Sequence, residues 1–397
     1  MSVSQGGSDR GRVARLRHVP GIAVDRMGAA ADAAAKANPE LLRLENLDTD
    51  LRPPPAALAA TREAVDRDDA NSYLPFLGQH GLRAAAARHV GRLSGVDYDP
   101  EAQCIVTAGG LSGCLITLLA LLEVGDEVVM TDPTYIGMIN RVRVAGGEPV
   151  LAPFVRDGGA WRLDLDELRR AVGPKTRALF VMSPSMPSGA VLDAAEWNAV
   201  ADICREADLW LVYNAAMERI LYDGRPYLHP ASLPGMAERT VTVGSVSKEY
   251  RMIGWRVGWV VGPRAIMNDI GLVSISDVVV PVGIAQAAAQ AALETPAADV
   301  EAAVAEWQRR RDVIVEELAG LPLTSAAGSW SMLLDVGEMG HDGERASVLL
   351  MERGAIAATP MANWGVENGA QFVRFVFSNE PVERLRGIGE RVRRALC

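Results

Sequence analysis

Residues 245–259 read SVSKEYRMIGWRVGW, and the reading of Lys248 within this stretch decides the fold. An apolar run, TVTVG, leads into it. Two serines, Ser245 and Ser247, flank the lysine, and Arg256 follows eight residues later between Gly254 and Gly258. A lysine in a partly desolvated cleft near other cations has a lowered pKa, and its neutral amine can then form a Schiff base. Hydroxyls and an arginine beside it suit a phosphate dianion. The plain alternative is a solvated loop lysine, but the surroundings are neither charged nor loop-like. Of 40 basic residues only Lys36, Lys175 and Lys248 are lysines. Codon bias toward arginine accounts for the rarity, and it leaves three candidates for any lysine chemistry.

Working outward, 397 residues with 49% hydrophobic content can bury a large core split over two domains. The net charge of −10 argues against a nucleic-acid partner. Four scattered cysteines without a CxxC pair, and five histidines without ligand spacing, predict a reduced, cytoplasmic protein with no metal site. The opening segment has no apolar core of a secretory signal. The longest apolar run, CLITLLALLEV (114–124), is too short for a bilayer, which needs about 20 residues. No membrane association is expected.

From residue 104 a strand–helix alternation begins: CIVTAGG into LSGCLITLLALL, EVVMTDP into TYIGMINRVRVAG, then EPVLAPF, ALFVMSP, the helix AAEWNAVADICREA, LWLVYN, TVTVGSVS and VGWVVGP. Buried β-rich runs between amphipathic helices predict an α/β fold with a mostly parallel sheet covered on both faces. One long helix is expected from AQAAAQAALETPAADV onward, followed by a small α+β unit with strands near SMLLDV and FVRFVFS. The expected boundaries are an N-terminal arm and helix over 1–50, a large domain over 51–285 and a small C-terminal domain over 286–397. Ligands of such sheets sit where strands end and helices begin. TAGGLS, DPTY, SPSMPSG, YNAAM and SVSK all fall at such points.

Taken together, these segments resemble the Schiff-base and phosphate segments of fold type I pyridoxal-phosphate enzymes of the class I/II aminotransferase family, over about 350 residues from RLENLDTD (43–50) onward. The resemblance implies a large domain with a seven-stranded sheet, and pyridoxal 5′-phosphate bound covalently by Lys248, which then shuttles the Cα proton. It implies that Ser245 and Arg256 hold the phosphate together with the backbone amides of Gly109, Gly110 and Leu111 at a helix N-terminus. Tyr135 would stack on the pyridine ring, and Tyr73 would reach the phosphate of the neighbouring subunit of a homodimer. Arg374 would clamp the substrate α-carboxylate in a bidentate fork, and an arginine between apolar residues usually has an anionic partner. The substrate would be a small-molecule amino acid; Met186, Met217 and Trp364 point to a roomy, apolar or thioether-friendly pocket, or, for the methionines, equally to core filler.

Three cofactor-side positions and one substrate-side position depart from the family pattern. Asn214 stands where an aspartate pairs with the pyridine nitrogen. Met186 and Met217 stand where an asparagine and a tyrosine bond the phenolic oxygen. Asn46 falls where a substrate-side glycine is usual. A neutral amide can donate to an unprotonated ring nitrogen but cannot hold the proton there by charge, so the ring should be a weaker electron sink. The leading expectation is therefore an enzyme diverged toward elimination, substitution, cyclisation or C–C bond formation on an amino acid or a relative such as S-adenosylmethionine. The alternatives are an aminotransferase proper and a non-catalytic cofactor-binding regulator. The last is disfavoured because the first 50 residues are too short for a DNA-binding module.

Overall fold

The structure is a computed structural model that describes residues 13–21 and 23–397; part of the expected N-terminal arm, residues 1–12 and 22, lies outside the described residues. The alternation read from the sequence builds one sheet of eight strands. In chain order they are β1 (Cys104–Thr107), β2 (Glu127–Asp132), β3 (Glu148–Asp157), β4 (Ala160–Leu163), β5 (Thr176–Met182), β6 (Trp210–Asn214), β7 (Thr240–Ser245) and β8 (Gly258–Val261). Their order across the sheet is β1-β8-β7-β6-β5-β2-β3-β4.

The five strands from β7 to β3 run parallel. Strand β8 is antiparallel to both β1 and β7. The resemblance implied seven strands; the eighth is the hairpin strand β4. Asp157 pairs with Ala160, and the two residues between them, Gly158 and Gly159, have φ of 56° and 81°. Two consecutive positive φ angles define a two-residue turn whose twist matches the strands it joins, and glycine adopts them without a Cβ clash. The DGGA tetrapeptide was the signal for this hairpin.

The long helix expected after residue 285 is two helices, Gly283–Leu293 and Ala297–Glu317. Pro296 separates them, since proline has no N–H to donate and its ring collides with the carbonyl four residues back. The C-terminal part carries a second, antiparallel sheet of β9 (Leu323–Thr324), β10 (Ser331–Asp335), β11 (Thr359–Pro360) and β12 (Phe372–Val376), in the order β9-β10-β12-β11. The N-terminal segment joins this part: Leu42–Arg43 pairs in parallel with Ile356–Ala357, and Val376 N donates to Leu44 O at 2.9 Å.

Strands β7, β6, β5 and β2 are consecutive in the sheet and end at Ser245, Asn214, Met182 and Asp132. Four neighbouring carboxyl ends therefore deliver their following loops, and with them Lys248, Met217, Met186 and Tyr135, to one place. No described helix is long and apolar enough to cross a membrane.

Candidate active site

A cavity of about 250 Å³ opens at those strand ends. It is lined by Lys248, Gly110, Leu111, Tyr135, Met186, Asn214, Met217, Ser245, Arg256, Asn46 and Arg374. Of the residues singled out in the sequence, Gly109 sits at the rim, Trp364 lies behind the wall, and Tyr73 is elsewhere. Leu47, Met138, Met182, Ala216, Ser247 and Ile253 complete the lining. Of these six only Ser247, beside the lysine, stands out in the sequence; an apolar residue beside a motif looks the same whether it lines a cavity or fills a core.

Lys248 is half-buried on the cavity floor, and its Nζ donates to Leu47 O at 2.8 Å. The amine also lies 5.0 Å from the centre of the Trp330 ring. Loss of hydration pushes its pKa down to about 7; Asp48 opposes the shift, while the charges of Arg374 and Arg256 add to it. A large share of the side chain is thus a neutral nucleophile near pH 7. The next residue, Glu249, anchors the segment. It accepts from Arg219 N and Nε at 2.7 and 2.7 Å, tying the lysine loop to the residues just after Met217.

An anion cradle lies on one side. Gly110 opens the helix Gly110–Leu121, whose first N–H groups have no partners within the helix and point out of its N-terminus. A methyl group on Gly109 would lie 2.6 Å from Arg256 Nη2, and one on Gly258 would lie 2.8 Å from Gly110 N. The glycines therefore leave a concavity that any side chain would fill. Arg256 is in the left-handed region, at φ 53°, and Nη1 donates to Ile253 O at 2.8 Å and to Ser247 Oγ at 3.3 Å. A dianion fits between this guanidinium, Ser245 and the helix end.

On the other side lies Arg374, 1% exposed. Its Nη2 donates to Glu45 O at 2.5 Å and Thr359 Oγ1 at 3.2 Å, and Nη1 approaches Met186 Sδ at 3.5 Å. Nε has no partner. No described carboxylate forms an ion pair with Arg374, and burial pushes its pKa down to about 10. The guanidinium sits 5.0 Å from the centre of the Trp364 ring, which lies 5.2 Å from that of Tyr135. A buried, unpaired guanidinium is costly to keep, and a carboxylate entering the cavity would relieve that cost.

The departures from the family pattern line the same cavity. Asn214 is 6% exposed, and its Oδ1 accepts from Ala216 N at 3.2 Å, which leaves the amide NH₂ as its free group. Met217 Sδ accepts from Ser329 Oγ at 3.1 Å. Tyr73 is 83% exposed and does not reach the cavity of its own chain.

A lysine of depressed pKa between an anion cradle and a buried arginine, at the carboxyl ends of a mostly parallel sheet, defines a fold type I pyridoxal-phosphate enzyme. The chain belongs to the family described as aminotransferase class I and II, whose sequence profile matches residues 42–389. It is 34% identical over 359 residues to a probable N-succinyldiaminopimelate aminotransferase of Mycobacterium tuberculosis, covering 85% of this chain and 90% of that protein. It is 33% identical over 321 residues to an arginine–pyruvate transaminase of Pseudomonas aeruginosa, covering 80% and 81%. The solved aspartate aminotransferase of Thermus thermophilus superposes with a TM-score of 0.90 at 31% identity, over 98% of this chain and 100% of that one.

Pyridoxal 5′-phosphate is the cofactor of this family, and the cradle, the neutral lysine and the free amide of Asn214 fit it. These relatives carry the names of aminotransferases. They support amino transfer, and they give no support to the diverged outcomes expected from Asn214, Met186 and Met217. Membership in this family of transferases also displaces the regulator reading.

Proposed function

We propose that this protein transfers the amino group of a free α-amino acid to a 2-oxo acid. The observation that carries this reading is the buried guanidinium of Arg374, unpaired and in the same cavity as the Lys248 amine. When bound, pyridoxal 5′-phosphate supplies an electron sink that acidifies the Cα–H of the amino acid. Lys248 would hold the cofactor, and its Nζ would carry the Cα proton of the amino acid. Ser245, Arg256 and the helix N-terminus would hold the phosphate, and Tyr135 would support the ring. Arg374 orients the substrate by its carboxylate, so that the Cα–H faces Nζ.

The names of the relatives cover side chains as different as those of arginine and aspartate, so the substrate class is open beyond the α-amino and α-carboxylate groups. The protein acts as a homodimer in this reading. Support comes from exposed apolar residues on segments in mutual contact: Tyr73 and Phe76 on one loop, Leu272, Val278, Val279 and Val282 beside it. The test is incubation of the holoenzyme with each common amino acid singly. Stoichiometric 2-oxo acid and pyridoxamine phosphate are expected with at least one; their absence with all of them would overturn the reading.

Two outcomes follow from the site. Cofactor capture requires the neutral amine. Its rate should therefore fall about tenfold per pH unit below the Lys248 pKa of about 7 and level off above it. Rapid mixing of the cofactor-free protein with pyridoxal phosphate measures this, and a midpoint near 10 would contradict a desolvated lysine. Second, Asn214→Asp restores a charge that holds a proton on the ring nitrogen. The single-turnover rate with an amino acid should rise severalfold, and an unchanged rate would remove Asn214 from the electronic argument.

A further inference from the structure

We propose that Asp132 is a positioning residue for the substrate end of the site, acting through the loop that carries Trp364; this rests on the reading of the cavity as an amino-acid site. Asp132 ends strand β2 and is 1% exposed. No described cation pairs with it. Instead its carboxylate accepts three successive backbone amides of the loop between β11 and β12: Val366 N and Glu367 N on Oδ2 at 2.8 and 2.8 Å, and Asn368 N on Oδ1 at 3.2 Å.

Further bonds close the clamp. Asn368 Nδ2 donates to Asp132 O at 3.0 Å and to Phe154 O at 2.8 Å. Thr134 N donates to Trp364 O at 2.8 Å. A methyl group on Gly365 would collide with Asp132 Oδ1, so the backbone passes the carboxylate at a distance only glycine allows.

The far side of this loop lines an open groove of about 1170 Å³, and Val366 is 78% exposed there. Packing from outside does little to hold the loop, and the fastening comes from strand β2 and its neighbours. The inner side presents the Trp364 ring to Tyr135 at 5.2 Å and to the Arg374 guanidinium at 5.0 Å. Tyr135 follows Asp132 by three residues, and Arg374 follows the loop on β12. One carboxylate thus fixes the wall shared by the residue that meets the cofactor ring and the residue that meets the substrate carboxylate. A substrate bound between them requires that separation to be set in advance.

The test is Asp132→Asn. It keeps the volume but turns a donor toward amides that need an acceptor. Deuterium exchange of the holoenzyme should rise at least about tenfold in residues 363–369 and stay unchanged around Lys248. For the amino acid that reacts fastest with wild type, KM should rise about tenfold with kcat within about twofold. The absorption and affinity of bound pyridoxal phosphate should not move. Asn368→Ala removes the side-chain bridge alone and should shift exchange and KM in the same direction by less, which keeps the test open if Asp132→Asn does not fold. Unchanged exchange, or parallel losses in kcat and cofactor affinity, would overturn the proposal. A wild-type protein that reacts with no amino acid would instead overturn the reading of the site.

Discussion

Lys248→Ala is expected to abolish the long-wavelength absorption of the bound cofactor and to lower turnover by about 10⁴-fold, the upper range for losing a positioned proton carrier. The expectation is this large because no other amine is at hand. Lys36 and Lys175 are the only other lysines of the chain, and neither lines the cavity. The neighbouring side chains Arg256 and Arg374 already serve as donors, to Ile253 O and Glu45 O. The fold should survive the change, because removing a half-buried amine that costs hydration leaves only Leu47 O without its donor. The spectrum of the purified variant with added pyridoxal phosphate, beside its melting curve, decides the matter. Residual turnover within about tenfold of wild type would mean that Lys248 is not the proton carrier.

The second large effect concerns Arg374. Each charge-assisted hydrogen bond contributes about 1.5–3 kcal/mol, so losing a two-bond fork in Arg374→Met should lower kcat/KM by about 10²–10⁴-fold. Stability should respond in the opposite sense or not at all. The wild-type protein without substrate keeps this guanidinium 1% exposed with no described carboxylate in ion-pair contact, the nearby Glu45 carboxylate being held by Arg43, and replacing such a charge with an apolar chain of similar volume is often neutral or stabilising. Calorimetry without amino acid should therefore show an unchanged or higher melting temperature. A loss of about 3 kcal/mol or more would identify Arg374 as a structural partner of Glu45 and Thr359, and the substrate role would fall with it.

Much of the architecture was legible because the strands are buried on both faces and read as unbroken apolar runs. The cavity is lined by polar residues that close them, such as Asn214 after LWLVY and Ser245 after TVTVG. The sites that were missed belong to another kind of information. Asp132 closes EVVMTD in the same way, yet its partners are backbone amides more than 230 residues away, and amides leave no trace in sequence. Glu45 and Leu47 contribute through carbonyl oxygens, which every residue has. The proline break in the long helix was legible in ETPAAD but was overridden by the alanine-rich pattern on either side. Asn214 was located by its strand end. Its bearing on the outcome of the reaction depends on cofactor electronics that neither the strand nor the surrounding family fixes.

The pairing of Leu42–Arg43 with Ile356–Ala357, and the bond from Arg374 to Glu45, bear on how the polypeptide is made. The N-terminal segment leaves the ribosome roughly 330 residues before the strand that holds it. At ordinary synthesis rates it must wait on the order of 15–65 s. Contacts so distant in sequence close slowly and late. The strands of the parallel sheet and Lys248 precede β12 in the chain, and the surroundings of Arg374 close only once β12 has emerged and met the waiting segment. The bond that sets Arg374 against Glu45 O is therefore among the last in the chain that can close.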